Sequence, residues 1–166
     1  DYPVDYLVCA DKRMVMEAIG RTYKNPIFTR NDWINLFKEN ANVRVVPPLP
    51  YTGTERWDEP FQWGSGPYAV LLAAMYAKER YVDLIGFDLH SKTKTVNNVY
   101  KSTPNYDDES KRAVDPRYWI HQIGMVFNCF PKIQFTIYQD DWELPKAWNY
   151  PNVMVDTISN ISYNKV

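Results

Sequence analysis

Histidine and cysteine are scarce in this chain. Its 166 residues include two of each: His90, His121, Cys9 and Cys129. So few candidates offer no spacing of the kind that binds zinc. Both cysteines lie in apolar stretches, which predicts free, buried thiols. Free thiols fit a reducing compartment, so we expect a cytoplasmic protein.

An excess of charge of either sign is also missing. The chain has 19 Lys and Arg against 20 Asp and Glu, a net charge of −1, so nothing indicates a nucleic-acid or membrane-surface partner. No apolar run is long enough to span a bilayer, and the start shows no signal-peptide pattern. The chain begins at Asp1 rather than Met, as expected of a fragment or a processed product.

The chain is instead rich in apolar and aromatic residues. Hydrophobic residues make up 45%, enough for one sizeable core, and we expect a single domain over 1–158 with a peripheral tail over 159–166. Six Trp and thirteen Tyr raise the aromatic content to 16%. These rings stack on sugars or bases in binding sites, or fill cores and interfaces. The aromatic loops also allow a homo-oligomer, which the sequence neither predicts nor excludes.

Segments of strand and helix length alternate along the chain. Strands are expected at 6–10, 26–29, 43–46, 81–88, 133–138 and 153–155. Helices are expected at 11–19, at 31–37, from Ser65 or Gly66 to 77, and from 115 to 130. This order predicts an α/β fold: a three-layer α/β/α sandwich, Rossmann-like, with a mostly parallel sheet of about five to six strands.

The stretch from Trp63 to Asp88 is the most informative. Ser65 or Gly66 suits the N-cap of a helix, and Pro67 suits its first position. The helix is apolar all round, and the following strand is apolar almost throughout, which predicts burial on both faces. Because ligands sit beyond the carboxyl ends of parallel strands, the turn and Asp88 are predicted to face one crevice. The alternative is that the turn and Asp88 only shape and cap the backbone.

Two long loops and a lone histidine have two interpretations each. The Pro-rich, aromatic loop 47–62 predicts either a functional loop or a contact surface. The polar segment 89–114 predicts either a lid over the crevice or a disordered or oligomer-contact loop. His121 lies off the apolar stripe of its helix and is either a surface residue or a catalytic base.

The residues Ser65-Gly66-x-Tyr68, the small-residue helix and Ile85-Gly86-Phe87-Asp88 resemble the central region of bacterial sialyltransferases built on one Rossmann-like domain. In that family a Ser-Gly-x-Tyr turn leads through a helix to a Gly-Ile-Asp-like strand end and binds the cytidine nucleotide of the donor. The resemblance loosely covers residues 4–138, and its specific part is short. The same pattern is similar to the pterin pyrophosphokinase-like domain of methanogens.

The resemblance implies a nucleotide-sugar donor of the cytidine type as the small-molecule ligand. Gly64, Ser65, Gly66 and Tyr68 would lie at the nucleotide, with Tyr100 or Lys101 near the phosphate. Such transfer needs a general base and stabilisation of the departing phosphate. His90 or His121 would be the base, and Asp88 would hold a ribose or the acceptor.

The chain also departs from that family. Those enzymes open with a strand and a Gly-rich loop at the nucleotide, to which nothing in this sequence corresponds. The family's Asp-Phe-Tyr is Asp88-Leu89-His90 here, which lacks a tyrosine that helps the leaving phosphate. By spacing, the family's catalytic His falls near Asp115-Pro116, about two turns before His121.

Three functions therefore remain open from the sequence. The first is a glycosyltransferase-like protein that uses a nucleotide-activated sugar. The second is a non-catalytic Rossmann-like binding or structural protein, which the missing Gly-rich loop favours. The third is a pyrophosphokinase-like enzyme, which would need carboxylates for Mg²⁺, with Asp88 and Asp107 or Asp108 as candidates.

Overall fold

The computed structural model describes residues 4–48, 63–89, 94–96, 101–105, 107–113 and 115–161. Over these residues the chain is α/β, and its strands and helices follow the predicted order. The strands are β1 (Leu7–Val8), β2 (Ile27–Thr29), β3 (Val43–Val45), β4 (Tyr81–Ile85), β5 (Gln134–Tyr138) and β6 (Val153–Asp156). The helices are α1 (Lys12–Gly20), α2 (Asn31–Ile34), α3 (Ser65–Tyr76) and α4 (Arg117–Cys129).

The strands form two parallel sheets of three strands each, in the orders β1-β2-β3 and β4-β5-β6. The expected single sheet of about five to six strands is not confirmed, because the described residues form no strand pairing between the two sheets. β1 is only two residues long and pairs with β2, so it has few backbone groups left to pair with a strand of the other sheet. All pairings between the six strands are parallel, in keeping with the predicted mostly parallel sheet.

Helix α3 connects the two sheets through packing. It contacts both β1 and β4, and its middle residues share one core with Phe28 of β2 and Leu84 of β4. As its apolar sequence predicts, α3 is buried through that middle, at Val70, Leu71 and Leu72. Only its last turn emerges, where Met75 and Tyr76 are exposed.

The first sheet is covered on both faces. Side chains alternate along a strand, so neighbouring residues of β2 enter different cores. Ile27 packs with Val15 of α1 on one face, and Phe28 packs in the core shared with α3 on the other. This arrangement gives helix, sheet and helix layers over this half of the chain.

The second sheet is covered on one face only by the described residues. Val82 and Leu84 of β4 are buried, whereas Tyr81, Asp83 and Ile85 are exposed. The expectation that this strand is covered on both faces was wrong. Connections between parallel strands are right-handed, so β4→β5 and β5→β6 both cross the same face. Helix α4 and the 3₁₀ turn Lys146–Trp148 pack together there and leave the opposite face open.

Two helix starts differ in detail from the sequence prediction. Gly64 is the N-cap of α3, so Ser65 is the first helical residue and Pro67 the third. Pro67 still lies in the first turn, where a missing N–H breaks no helical hydrogen bond. Asp11 is the N-cap of α1, as expected, but its side chain makes no capping hydrogen bond.

The apolar stripe of α4 and the free cysteines are confirmed. Ile123, Val126 and Phe127 are fully buried. Cys9 is free and buried, and Cys129 is free and half-buried. No helix in the described part of the chain is long and apolar enough to cross a membrane.

The stability of the folded protein at alkaline pH is expected to depend on whether the Cys9 thiol is protonated. It lies between the first sheet and α1, where burial, then the charges of Asp11 and Glu17, raise its pKa from 9.0 to about 11. A raised pKa means that the folded state favours the neutral thiol. The burial of the neutral Cys9 thiol therefore contributes fully to the free energy of unfolding below pH 9, and this contribution is lost as the pH rises through 11.

We therefore expect wild type to lose roughly 2–3 kcal/mol more than Cys9→Ala between pH 9 and pH 11. Urea unfolding at a series of pH values measures this difference. Burial also raises the pKa of Tyr68, which is common to both proteins, so the comparison isolates Cys9. Burial also raises the pKa of the half-buried Cys129 thiol, so Cys129→Ala serves as the matched comparison and should change the slope less than Cys9→Ala does. Equal slopes for wild type and Cys9→Ala would contradict the prediction.

Candidate functional site

The first turn of α3 is attached to the carboxyl end of β1. The Ser65 hydroxyl accepts a hydrogen bond of 2.9 Å from the backbone N–H of Ala10. Ala10 is the second residue after the end of β1. Ser65 therefore joins two segments 55 residues apart, a role different from the N-cap expected from the sequence.

The same turn also meets the carboxyl end of β4. A Cβ built on Gly66 would lie 3.5 Å from Cε1 of Phe87, the residue before Asp88. A Cβ on Gly64 would lie 3.1 Å from Nε1 of Trp119 in α4, closer than most side chains approach. Gly64 thus permits the close approach of Trp119, Gly66 lies in ordinary contact distance of Phe87, and the α3 N-terminus lies between the ends of β1 and β4.

Tyr68 lies beneath this turn. It is 1% exposed, and its ring centroid is 6.1 Å from that of the buried Trp63. Burial raises the pKa of the Tyr68 hydroxyl, and the nearby Arg30 charge opposes this rise. The phenol is therefore neutral over the whole physiological range. The described position of Tyr68 is in the core, below the surface at which a nucleotide would be expected.

The structure adds Arg30 and Trp33 to the site, which the sequence analysis did not identify. Trp33 Nε1 donates to the Ala10 carbonyl at 2.8 Å, so side chains hold both backbone groups of Ala10. Arg30 and Lys12 each lie 5.7 Å from the centroid of the Trp33 ring. Arg30 follows β2 as Asp88 follows β4. Ligands bind beyond the carboxyl ends of parallel strands, and applying this rule to β2 as well as to β4 would have predicted Arg30 as a site residue.

Two buried polar atoms at the end of β2 lack hydrogen-bond partners. They are Oγ1 of Thr29, which is fully buried, and Nε of Arg30. The guanidinium bonds Asp32 at 2.5 Å through its terminal nitrogen, which leaves the inner N–H unused. Unsatisfied buried polar atoms are rare and destabilising, and they are typical of functional sites.

The backbone of Asp88 is fixed by an aromatic residue from the β5–β6 connection. Trp142 Nε1 donates to the Asp88 carbonyl at 2.9 Å. The residue itself is half-buried, and its neighbour Phe87 packs against the main core. Since the contact uses the carbonyl, the Asp88 side chain can change without breaking it.

The remaining predicted residues lie elsewhere or outside the description. His121 is exposed on α4, two residues after Trp119 and therefore about 200° around the helix from it. Lys101 is half-exposed and pairs with Glu109 at 3.5 Å. His90 and Tyr100 lie outside the described residues, as does most of the loop 47–62. The structure thus brings together the α3 turn and the Asp88 end, without His121.

The described parts of segment 89–114 fold back on themselves. Thr95 and Arg112 form an isolated antiparallel bridge, and Asn105 donates to Glu17 of α1 at 2.6 Å. Asp107 pairs with Lys111, and Asp108 accepts from the Ser110 backbone. Hydrogen bonds from Ser110 lower the pKa of Asp108. Asp107 and Asp108, two of the three carboxylates considered for Mg²⁺, thus make local contacts, and no group of three metal-ligating side chains occurs in the described residues.

No protein-family model, curated protein or solved structure matches this chain. The fold and the site therefore define its class by themselves. It is an α/β protein with parallel strands, and its candidate site gathers the carboxyl ends of β1, β2 and β4 around the first turn of α3.

Proposed function

We propose that this protein binds a nucleotide-activated sugar of the cytidine type, in the manner of a glycosyltransferase, at the first turn of α3. The observation that carries the proposal is the position of Ser65 and Gly66. One is bonded to the end of β1, and the other lies against the end of β4. A helix N-terminus between two parallel strand ends is a frequent position for phosphate groups.

The charges around this turn support an anionic ligand. The α3 N-terminus carries a partial positive charge, and Arg30, whose charge is paired with Asp32, adds one unused buried N–H. A phosphate oxygen would accept from these donors and relieve the unsatisfied Arg30 group. Asp88, on the far side of the turn, provides a carboxylate for a ribose or acceptor hydroxyl. On this proposal, Arg30 would lie near the phosphate end of the ligand and Asp88 near its sugar or acceptor hydroxyl.

The proposal includes one Rossmann-like sheet in the order β3-β2-β1-β4-β5-β6. Packing of α3 against both β1 and β4 supports this arrangement, because adjacent strands share the helix that covers them. In such a sheet the strand order reverses between β1 and β4. Ligands bind at that reversal, which is where the first turn of α3 lies.

A non-catalytic binding protein is the second candidate, favoured by the position of His121. Transfer to an acceptor needs a general base within hydrogen-bond reach. His121 lies on the side of α4 away from Trp119 and Gly64, so the described residues place no histidine at the turn. Turnover of a nucleotide sugar, abolished in His90→Ala, would decide for the enzyme.

The test is thermal unfolding against cytidine, uridine, guanosine and adenosine mono- and diphosphates, with and without Mg²⁺. A ligand at a hundred times its dissociation constant adds about 2.7 kcal/mol to the stability of the folded state. At roughly 2–4 °C per kcal/mol, the unfolding midpoint should rise by several degrees. We expect this rise for cytidine nucleotides, and we expect Asp88→Ala and Arg30→Ala to abolish it.

Matched variants separate binding from folding. Asp88→Ala keeps the contact of the Asp88 carbonyl with Trp142, and its unfolding midpoint without ligand is the reference for its nucleotide response. Asp5→Ala and Arg44→Ala remove exposed charges outside the site and should keep the full nucleotide response. The proposal fails if no nucleotide raises the midpoint, or if Asp88→Ala and Arg30→Ala respond as wild type does.

A further inference from the structure

A second helix begins beside the first turn of α3. Helix α1 starts at Lys12, two residues after Ala10, whose backbone N–H is bonded to the Ser65 hydroxyl. Two residues of chain span at most about 7 Å, so the N-termini of α1 and α3 meet at the carboxyl end of β1. Each helix N-terminus carries a partial positive charge, so this edge of the sheet attracts anionic groups from both sides.

The first turn of α1 has free donors and an unusual set of charges. The backbone N–H groups of Met14 and Val15 donate to the Asp11 carbonyl, and the Asp11 side chain makes no capping hydrogen bond. The N–H groups of Lys12 and Arg13 therefore have no acceptor among the described residues. The turn contains no acidic residue. Two cations at the positive end of a helix are unfavourable, and Asp11 offsets only one of them, so helix stability does not explain this pattern.

Lys12 and Arg30 come together at the ring of Trp33. The ammonium of Lys12 and the guanidinium of Arg30 each lie 5.7 Å from the centroid of that ring, and the Trp33 indole donates to the Ala10 carbonyl. Arg30 pairs with Asp32, whereas Lys12 has no ion-pair partner among the described residues. Lys12 is thus an unpaired cation at the carboxyl end of β1.

The end of β2 supplies buried polar atoms that need partners. Nε of Arg30 is buried without one, and so is Oγ1 of the fully buried Thr29. Side chains alternate along a strand, so Thr29 lies on the same face of β2 as Ile27, the face that α1 covers. The Arg30 charge also acts on the Tyr68 hydroxyl in α3, so Arg30 lies near both helix starts. A phosphate oxygen at Arg30 would accept from its Nε and satisfy this buried donor.

We propose that the ligand carries two phosphate groups, the first at the first turn of α3 and the second at Lys12 and Arg30 beside the first turn of α1. The donor is then a nucleoside diphosphate sugar rather than a nucleoside monophosphate sugar. This inference rests on the proposed function for the first phosphate. The α1 turn adds what a second phosphate needs, namely two backbone donors, an unpaired ammonium and a buried guanidinium N–H.

Isothermal titration of the full chain with cytidine monophosphate (CMP), cytidine diphosphate (CDP) and inorganic pyrophosphate, in EDTA, tests this assignment. Wild type should bind CDP about tenfold more tightly than CMP or better, because the second phosphate gains a charge-assisted contact with Lys12. Lys12→Ala should reduce this ratio to about threefold or less by weakening CDP alone, and it should weaken pyrophosphate as well. Lys12→Arg keeps the charge and should keep the preference for CDP.

Two controls separate this site from general charge and from folding. Lys24→Ala removes an exposed lysine at the opposite end of β2 and should bind all three compounds as wild type does. Unchanged CMP binding by Lys12→Ala shows that its fold is intact.

Each outcome bears on a different claim. If wild type binds CMP and CDP equally, or if Lys12→Ala keeps the full preference for CDP or weakens CMP as much as CDP, no second phosphate binds at Lys12. The inference then fails, while the proposed function stands. If pyrophosphate binds through Lys12 but no cytidine nucleotide binds, the proposed function fails and the diphosphate site stands. Binding of none of the three compounds would overturn both.

Discussion

Replacing Trp148 with alanine is expected to lower the free energy of unfolding by about 3–5 kcal/mol. Trp148 is fully buried, and its Nε1 donates to the Ile120 carbonyl at 2.7 Å. Its ring meets Phe127 edge-on, with centroids 5.3 Å apart. It also lies against Gly124, where a Cβ would come within 3.4 Å of the indole. Trp148 thus packs the β5–β6 connection against α4, and alanine at this position would leave a large cavity between them.

Urea unfolding of wild type and Trp148→Ala measures this loss, and the thermal midpoint should fall by about 10 °C. Trp148→Phe keeps much of the ring volume but removes the indole donor, so it should lose less. Trp142→Ala is the matched comparison and should lose less than Trp148→Ala, because Trp142 is only half-buried, although it also loses the hydrogen bond to the Asp88 carbonyl. A loss below about 1 kcal/mol for Trp148→Ala would contradict this description of the core.

Helix α4 shows which parts of the fold a sequence predicts well. Its apolar stripe follows the 3.6-residue period, a local property of the chain. Ile123, Val126 and Phe127 of that stripe are fully buried, and His121, which the stripe leaves out, is exposed. The side of a helix that faces the core can be read from spacing alone.

Strand β4 shows what could not be predicted. Tyr81 and Ile85 are apolar, so the sequence resembles a strand buried on both faces. Their exposure depends on which face the connecting segments cross, and this is a property of the whole sheet. The shortness of β1, which limits pairing between the two sheets, was equally hidden in the longer apolar run 6–10.

The candidate site was predictable in outline only. The general position of the α3 turn and Asp88 followed from the rule that parallel strands end at a common edge. The contacts of Ser65 with Ala10 and of Trp33 with Ala10 span 55 and 23 residues, so no local pattern contains them. A tyrosine such as Tyr68 can lie either at a ligand-binding surface or in the core. Here its ring packs against Trp63 in the core, and the local sequence does not predict this contact.

Asn152 is a second residue on which much of the fold depends. Its Nδ2 lies 3.1 Å from each of three carbonyls, those of Phe127, Phe130 and Ile133. In a regular helix the Phe127 carbonyl would accept from the N–H four residues later, but that residue is Pro131, which has none. Asn152 therefore supplies the donor that proline lacks, and ties the end of α4 to the start of β5.

We expect Asn152→Ala to lower the free energy of unfolding by about 2–4 kcal/mol, since the Phe127 and Ile133 carbonyls would lose this donor, while the Phe130 carbonyl keeps the Ile133 N–H. Asn152→Asp should lose more, although its shape is nearly the same, because a carboxylate would face three carbonyl oxygens. Asn160→Ala removes an exposed amide bonded to Asp156 at 2.7 Å and should cost less than about 1 kcal/mol. Urea unfolding gives all three values. If Asn152→Asp were as stable as wild type, the amide hydrogens of Asn152 would not be what holds the α4 terminus.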